Sequence, residues 1–316
     1  SLFWSALGIA FLILSHNTLA VLFLPLIFAY LIFQSKKKKF LILNSLFLLL
    51  LGLGISAFFW VPVLFELPLT VFATTTVSNW REYFASISLI GASTITILLV
   101  TFLNISRRKF QVKKHGVTVM FFAVAFISVF LASSFSNPIW TIFPVSFVQF
   151  PFRLLSVTIV CVAFLAAVNI SLVKGKARII AGVVLIILLG ISAFPYAKPS
   201  SYFDKEEGYY YTNDATTTVQ DEYMPVWVKE KPIKRFTTKA ELASGDGILS
   251  NILYSNGKTT FTADINHDAI VRVNTIYWPG WKASIDGKEV PILYNNQRGL
   301  IEIAVPQGKH EVKVVF

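Results

Sequence analysis

Apolar residues fill the first part of the chain in long runs that only short polar segments interrupt. Seven runs can be placed, at about Leu2 to Leu14, Thr18 to Phe33, Phe40 to Trp60, Ile87 to Leu103, Val117 to Ala132, Leu154 to Val173 and Ala177 to Phe194. A helix needs about 20 residues to cross ~30 Å of hydrocarbon, and each run reaches or approaches that length by extending through neutral flanks. Gly52 and Gly54, Gly182 and Gly190 fall within runs, where small residues permit close helix contact. After Phe194 the period changes. Asp204 to Glu222 is polar, and strand-like stretches then follow at Thr259 to Ile265, Ala269 to Ile276, Trp281 to Ile285, Glu289 to Tyr294, Leu300 to Val305 and His310 to Phe316. Asp286-Gly287 and Gln307-Gly308 mark tight turns between them. The pattern predicts an α-helical polytopic membrane bundle of about seven spans over residues 1–197, then an extracytoplasmic all-β, sandwich-like domain over 198–316.

Composition and charge sharpen this division. With 55% hydrophobic and 14% charged residues and a mean hydropathy of +0.64, the 316-residue chain is too apolar for an ordinary soluble fold. Residues 1–197 carry 14 Lys+Arg against only Glu66 and Glu82, whereas residues 198–316 carry 14 against 15 acids, so the net +11 belongs to the helical part. Twelve of those first 14 cations sit in three short loops, Lys36 to Lys39, Arg107 to Lys114 and Lys174 to Arg178. If each run crosses once, these loops share a side, and the positive-inside rule makes it cytoplasmic. Alternation with the spans already accounts for the basic loops, so no nucleic-acid partner is inferred. Ser15-His16-Asn17, residues 61–86, residues 133–153 and everything after Pro195 then face outward. Cys161, the only cysteine, lies in an apolar run and reads as packing rather than chemistry. Ser1 in place of Met, and an apolar start without a basic n-region or cleavage site, lead us to expect a chain that begins inside or just before a span.

Two outward segments are unusual for loops. Val61 to Phe72 and Pro138 to Phe152 are rich in aromatic and aliphatic residues broken by proline. They are too short to cross twice, and the prolines argue against regular helix throughout. They read as interfacial or partly re-entrant pieces on the outer leaflet, or as an aromatic belt anchoring helix ends.

Candidate chemistry gathers on this outer side. Phe147 to Leu155 (Phe-Val-Gln-Phe-Pro-Phe-Arg-Leu-Leu) puts one arginine at the head of an apolar run, and no charge follows from Leu154 to Val173. Arg153 therefore belongs where a helix meets the membrane surface. There its forked donors suit a phosphate or pyrophosphate of a polyprenyl lipid, with Arg81 as a second lipid-phosphate candidate. The weak catalytic candidates are Glu66, Glu82 and His16: either carboxylate as general base or metal ligand, the imidazole as second ligand or acid–base partner. Taken singly, each of these polar groups equally fits a side chain snorkelling to water, and only their shared side favours function. No His-x-x-x-His spacing supports a metal, and none is assigned. Tyr277, Trp278 and Trp281, with Tyr294-Asn295-Asn296-Gln297-Arg298 in a nearby loop, read either as a platform for a sugar or acceptor or as strand-end aromatics plugging the sandwich core. No phosphate-binding glycine loop, nucleophile elbow or zinc motif occurs.

Several of these motifs, taken in order, carry a resemblance. Ser15-His16-Asn17, Trp60-Val-Pro-Val-Leu-Phe-Glu66, Gln149-Phe-Pro-Phe-Arg153-Leu, Glu222-Tyr-Met-Pro-Val-Trp227, Tyr277-Trp-Pro-Gly-Trp-Lys-Ala-Ser-Ile-Asp-Gly-Lys288 and Pro306-Gln-Gly-Lys-His310 run through essentially the whole chain. Together they resemble the C-terminal portion of bacterial multi-pass membrane proteins labelled "6-pyruvoyl-tetrahydropterin synthase related", similar to the YfhO-like proteins of the GT-C glycosyltransferase superfamily. The label implies no pterin chemistry. The resemblance implies a transferase in the cell membrane that takes a sugar from a polyprenyl-phosphate carrier and passes it, outside the cytoplasm, to an envelope polysaccharide or glycolipid. It also implies a catalytic acid in the first extracytoplasmic loop of the full-length protein, upstream of this chain, and leaves open a divalent metal ion there. The rival from another class is a non-catalytic protein for envelope polymer assembly or lipid handling. A transporter is disfavoured, because no span interior carries an acid or base to couple ions.

Overall fold

A computed structural model of the chain describes residues 2–34, 39–74, 79–107, 109, 112–142, 148–199, 201–212, 221–231 and 236–316. Most of the basic run Lys36 to Lys39, three residues of Arg107 to Lys114 and the middle of Pro138 to Phe152 fall outside these residues. The part up to Phe203 is rich in apolar helices, and an antiparallel sheet follows. The chain divides into two compact units: Ser1–Val63 with Thr76–Phe203, and Leu64–Thr75 with Asp204–Phe316. The second unit thus takes in a stretch that the sequence pattern assigned to the membrane half.

Each of the seven apolar runs is helical. Helices α1 (Leu2–Ser15), α2 (Asn17–Gln34), α3 (Lys39–Ile55) and α4 (Ala57–Glu66) precede α5 (Ile87–Ile90), α6 (Ala92–Ser106), α7 (Val112–Ala132) and α8 (Asn137–Ile142). Helices α9 (Leu155–Ser171), α10 (Lys176–Ala193) and the short α11 (Glu207–Thr212) complete the helical elements used below. Among the described residues, four helical stretches are long and apolar enough to cross a membrane: Asn17–Gln34, His115–Ala132, Pro151–Ser171 and Lys176–Ala197. A fifth arises if Ile42–Ile55 and Ala57–Leu69, bent by 69°, form one span, while Leu2–Ser15 and Ala92–Ser106 are shorter. The bend falls at Ser56, whose Oγ donates to the carbonyls of Gly52 (3.0 Å) and Leu53 (3.2 Å). Such back-bonding competes with the helix ladder. Contrary to the expectation of irregular chain from Val61, α4 continues through Pro62. Proline removes one backbone donor, but its fixed φ is helical, so a single proline need not end the helix.

Packing explains only part of the glycine pattern. A Cβ on Gly52 would lie 2.6 Å from Ile9 Cγ2, so α1 and α3 approach closely there, but Gly54, Gly182 and Gly190 face open space. Cys161 is fully buried among Leu26, Ile97, Ala125, Val157 and Leu165, where α2, α6, α7 and α9 meet. Within that bundle Asn169 on α9 accepts from Asn104 Nδ2 (2.8 Å) and donates to Thr101 Oγ1 (2.7 Å), both on α6. Such interhelical bonds contribute about 0.6 kcal/mol on average in lipid, and up to about 1.7. Gly91, at φ +83°, separates α5 from α6, and a Cβ there would meet Ser192 Cβ of α10 at 3.2 Å.

The second unit is built on β2 (Lys258–Ile276), which pairs antiparallel with β1 (Ala240–Ser255) along one edge. Along the other edge, β6 (Gly308–Val315) pairs with the first half of β2 and β5 (Leu300–Val305) with the second. The hairpin β3 (Lys282–Ile285) and β4 (Lys288–Val290) adds to β6. Thr259, Phe261, Ala263, Ile265, Ala269, Val271 and Val273 alternate along β2 as buried residues. Those from Phe261 onward share one core with Ile301, Ile303, Val305, Val312 and Val314. Every fully buried member of that core comes from a strand. Asp286-Gly287 has φ of +51° and +80°, the signature of the predicted two-residue turn. Gln307-Gly308 is not a hairpin: β5 and β6 run on in one direction along β2, and Gln307 N donates to Asp268 Oδ1 (2.9 Å) where the partner strand kinks. β1 escaped the sequence reading, because Gly245 and bulges at four places break its alternation.

Two stretches from distant parts of the sequence meet in this unit. Val71 N donates to Met224 O (2.9 Å), Phe72 N to Glu222 O (2.7 Å) and Val226 N to Leu69 O (2.9 Å), while Phe72 and Tyr223 stack at 5.9 Å. Residues 67–73 thereby become an extra piece of the β unit.

One ion pair makes the unit's stability depend on pH. His310 Nδ1 and Asp286 Oδ2 lie 2.7 Å apart, which raises the histidine above its ordinary pKa and lowers the aspartate below its own, chiefly through that hydrogen bond. A raised histidine gives stability that is complete below its unfolded value of about 6.5 and fades as pH rises through the folded value. A lowered aspartate gives stability present above about 4 and lost as pH falls through its folded value. The pair therefore stabilises most between about pH 4 and 6.5. A thermal-midpoint scan should show this excess in the wild type and a flatter profile in Asp286→Asn; identical profiles would reject the linkage.

Candidate functional site

In the first unit the candidate with the fullest set of contacts is Arg153. A 3₁₀ turn, Pro151–Leu154, leads into α9 and holds the arginine at its start. Its Nη1 donates to Gln149 Oε1 (2.8 Å), Val148 O (3.2 Å) and Thr18 Oγ1 (3.2 Å), and the guanidinium lies 4.7 Å from the Phe150 ring centre. Gln149 adopts φ +61°, an uncommon conformation for a residue with a side chain. That conformation sets its amide beside the arginine. No protein acceptor bonds Nε or Nη2 among the described residues, and no carboxylate pairs with the guanidinium there. One nitrogen is anchored and the rest of the donor fork is left over.

Beside this fork lies a cavity of about 280 Å³. Arg153 heads it, Leu89 and Ile90 of α5 and Leu155 and Ile159 of α9 give it apolar walls, and Thr94 and Ser156 contribute hydroxyls. Ile159 is 68% exposed, so the groove is open along its length rather than sealed. A charged head with an apolar trough matches an amphiphile with an anionic end group.

The other candidates stand apart from Arg153 to different degrees. Thr18 is two residues from His16, whose Nδ1 receives Leu19 N at 3.5 Å, so His16 serves the start of α2 beside the arginine's anchor. Arg81 and Glu82 lie on a 3₁₀ turn, Trp80–Tyr83, and both are exposed. Tyr83 of that turn packs against Phe150 (4.6 Å) and Phe152 (6.4 Å), and Trp80 stacks on Trp140 at 6.1 Å. Arg81 itself lies over the Trp80 ring at 4.8 Å. The turn thus carries two ring clusters, Trp80 and Phe84 with Trp140, and Tyr83 with Phe150 and Phe152, the second of them against the ring on which Arg153 lies. Glu66, exposed at the end of α4, belongs to the other unit and is not part of this arrangement. Gln149 and Thr18 were given no role by sequence reasoning. Thr18 carries no local signal, since its contact spans 135 positions.

The β unit holds the second candidate. Tyr277 and Tyr294 stack at 4.1 Å and 11°, and Trp227 meets Tyr277 (6.0 Å), Trp278 (5.9 Å) and Tyr294 (5.6 Å). Trp281 stands apart, against Phe316 (5.3 Å) and the strand core. The proposed platform therefore splits: Tyr277 and Trp278 join one cluster, while Trp281 is a packing residue. Trp227 was the missed centre of that cluster. Gly299 lets it in, because a Cβ there would come within 2.8 Å of Trp227 Cδ1, at a φ of +62°.

No group of three His, Cys, Asp or Glu side chains comes together among the described residues. No known family model, no characterised protein and no solved structure matches this chain.

Proposed function

We propose that the chain is the C-terminal part of a GT-C-like membrane glycosyltransferase of the YfhO-like kind, acting on a polyprenyl-phosphate-linked sugar at the extracytoplasmic face. The observation that carries this reading is Arg153: an arginine with an uncommitted donor fork, at the mouth of an apolar groove of about 280 Å³. A guanidinium pairs well with a phosphate, and the groove walls suit isoprenoid methyl groups. The sandwich-like β unit would meet the envelope acceptor.

The seven-span topology gains support from the hydrogen bonds between residues 69–72 and 222–226. Segments so joined share a compartment, so an even number of crossings must separate them. Four of the seven apolar runs lie between them, an even set when α6, the shorter Ala92–Ser106, is counted as a crossing beside α7, α9 and α10. The second reading, lipid handling without sugar transfer, is favoured by one feature: among the described residues no carboxylate lines the groove that Arg153 heads.

Full-length protein in nanodiscs, supplied with an undecaprenyl-phosphate hexose, tests both readings. Capture of the lipid with release of hexose to an acceptor supports transfer, and capture without release supports lipid handling. Failure to capture it, or reporter fusions after Tyr196 that sit in the cytosol, would overturn both.

A further inference from the structure

The cavity beside the aromatic cluster of the β unit has a composition of its own. It measures about 330 Å³ and is lined by Asn295, Asn296, Gln297, Arg298, Leu300 and Arg272. The same loop supplies the cluster, since Tyr294 precedes Asn295, and Gly299, which accommodates Trp227, follows Arg298. Rings and polar groups are therefore held by one short segment. That segment is rigidly tied: Asn296 Oδ1 accepts from Arg298 N (3.2 Å) and Leu300 N (3.0 Å), its Nδ2 donates to Leu300 O (2.7 Å), and Gln297 O receives Lys229 N (2.9 Å) and Glu230 N (2.8 Å).

Sorting the lining by what is already engaged shows what remains. Asn296 is spent on the loop. Arg272 is spent on Glu302, to which Nε (2.9 Å) and Nη2 (2.8 Å) both donate. Glu241 stands a further 3.8 Å from its Nη1, so that arginine's charge is balanced. Left over, among the described residues, are the side-chain amides of Asn295 and Gln297 and the guanidinium of Arg298, with no acid paired to it. Amides bond vicinal hydroxyls, and an unbalanced guanidinium selects a carboxylate or phosphate; half-exposed Trp278, outside the cavity lining but joined through Trp227 to Tyr294 at the head of the loop, offers a ring on which a sugar can lie.

We infer that this cavity binds an acidic saccharide, a glycan carrying carboxylate or phosphate groups, with Arg298 reading the charge, Asn295 and Gln297 the hydroxyls, and Trp278 the sugar face. The inference concerns the β unit's own ligand. It rests on the proposed function only in identifying that glycan with the acceptor, so binding can succeed where transfer fails.

The test is an array of uronic-acid-bearing, phosphate-bearing and neutral oligosaccharides of matched length, probed with the full chain in nanodiscs. Retention of one acidic class is expected, at least tenfold above its neutral counterpart, and which class is retained distinguishes carboxylate from phosphate. Arg298→Gln, an exposed substitution that leaves the loop's hydrogen bonds in place, should cut that retention at least tenfold. Trp278→Ala should weaken acidic and neutral glycans alike. No retention above empty nanodiscs, or acidic retention unchanged by Arg298→Gln, overturns the assignment.

Discussion

Arg153→Gln is expected to lower affinity for a polyprenyl phosphate by roughly ten- to a hundredfold, since hydrogen bonds to charged groups contribute about 1.5–3 kcal/mol and each 1.4 kcal/mol is tenfold. Glutamine ends two bonds short of Nη1 and gives up its bonds to Val148 O and Thr18 Oγ1, but the backbone bond from Arg153 N to Phe150 O (3.0 Å) is unaffected, so the turn before α9 should persist. The apolar walls of Leu89, Ile90 and Ile159 are untouched, so the tail keeps its contacts. Arg153→Lys should fall between, because an ammonium retains the charge but cannot hold Gln149 and present a planar fork together. Affinity is read by native mass spectrometry of nanodiscs against a neutral polyprenol. A loss equal for phosphate and polyprenol would mean the groove collapsed, and an unchanged phosphate affinity would remove Arg153 from the lipid head.

Phe261→Ala should destabilise the β unit by about 3–5 kcal/mol, the usual cost of deleting a large aromatic core side chain. Phe261 is 2% exposed in a core whose fully buried members all come from strands, where the hydrogen-bonded ladders limit collapse into the vacancy. A melting point lower by roughly 10 °C or more should follow for a domain of this size. Ile248→Ala on β1, where the isoleucine is 71% exposed, should change stability by less than about 0.5 kcal/mol. Thermal melting followed by the strand circular-dichroism signal compares the two; equal effects would mean that Phe261 is not a core residue.

The helices were legible because lipid-facing sequence is written in long apolar words, and every one of those words is helical. Where side chains compete with the backbone the reading failed locally. The Ser56 bend rests on one hydroxyl bonding two carbonyls, and α4 runs through Pro62, which the letter alone seemed to forbid. The β2 alternation was visible as two runs, but their union into one strand depends on a kink fastened by Asp268 to Gln307, 39 positions away. At the site, Arg153 stood out as a lone charge at the head of an apolar run. Its anchor Thr18 and the central indole of Trp227 did not, because both act through contacts between remote segments.

That residues 69–72 bond to 222–226 bears on how the molecule is made. About 150 residues separate the two halves of this seam, which at 5–20 residues per second means a wait of roughly 8–30 s between the synthesis of one half and the other. Throughout that interval the carbonyls of Met224 and Glu222, which accept from Val71 N and Phe72 N in the finished chain, have yet to be made, so this part of the β unit forms only after α10 has been synthesised.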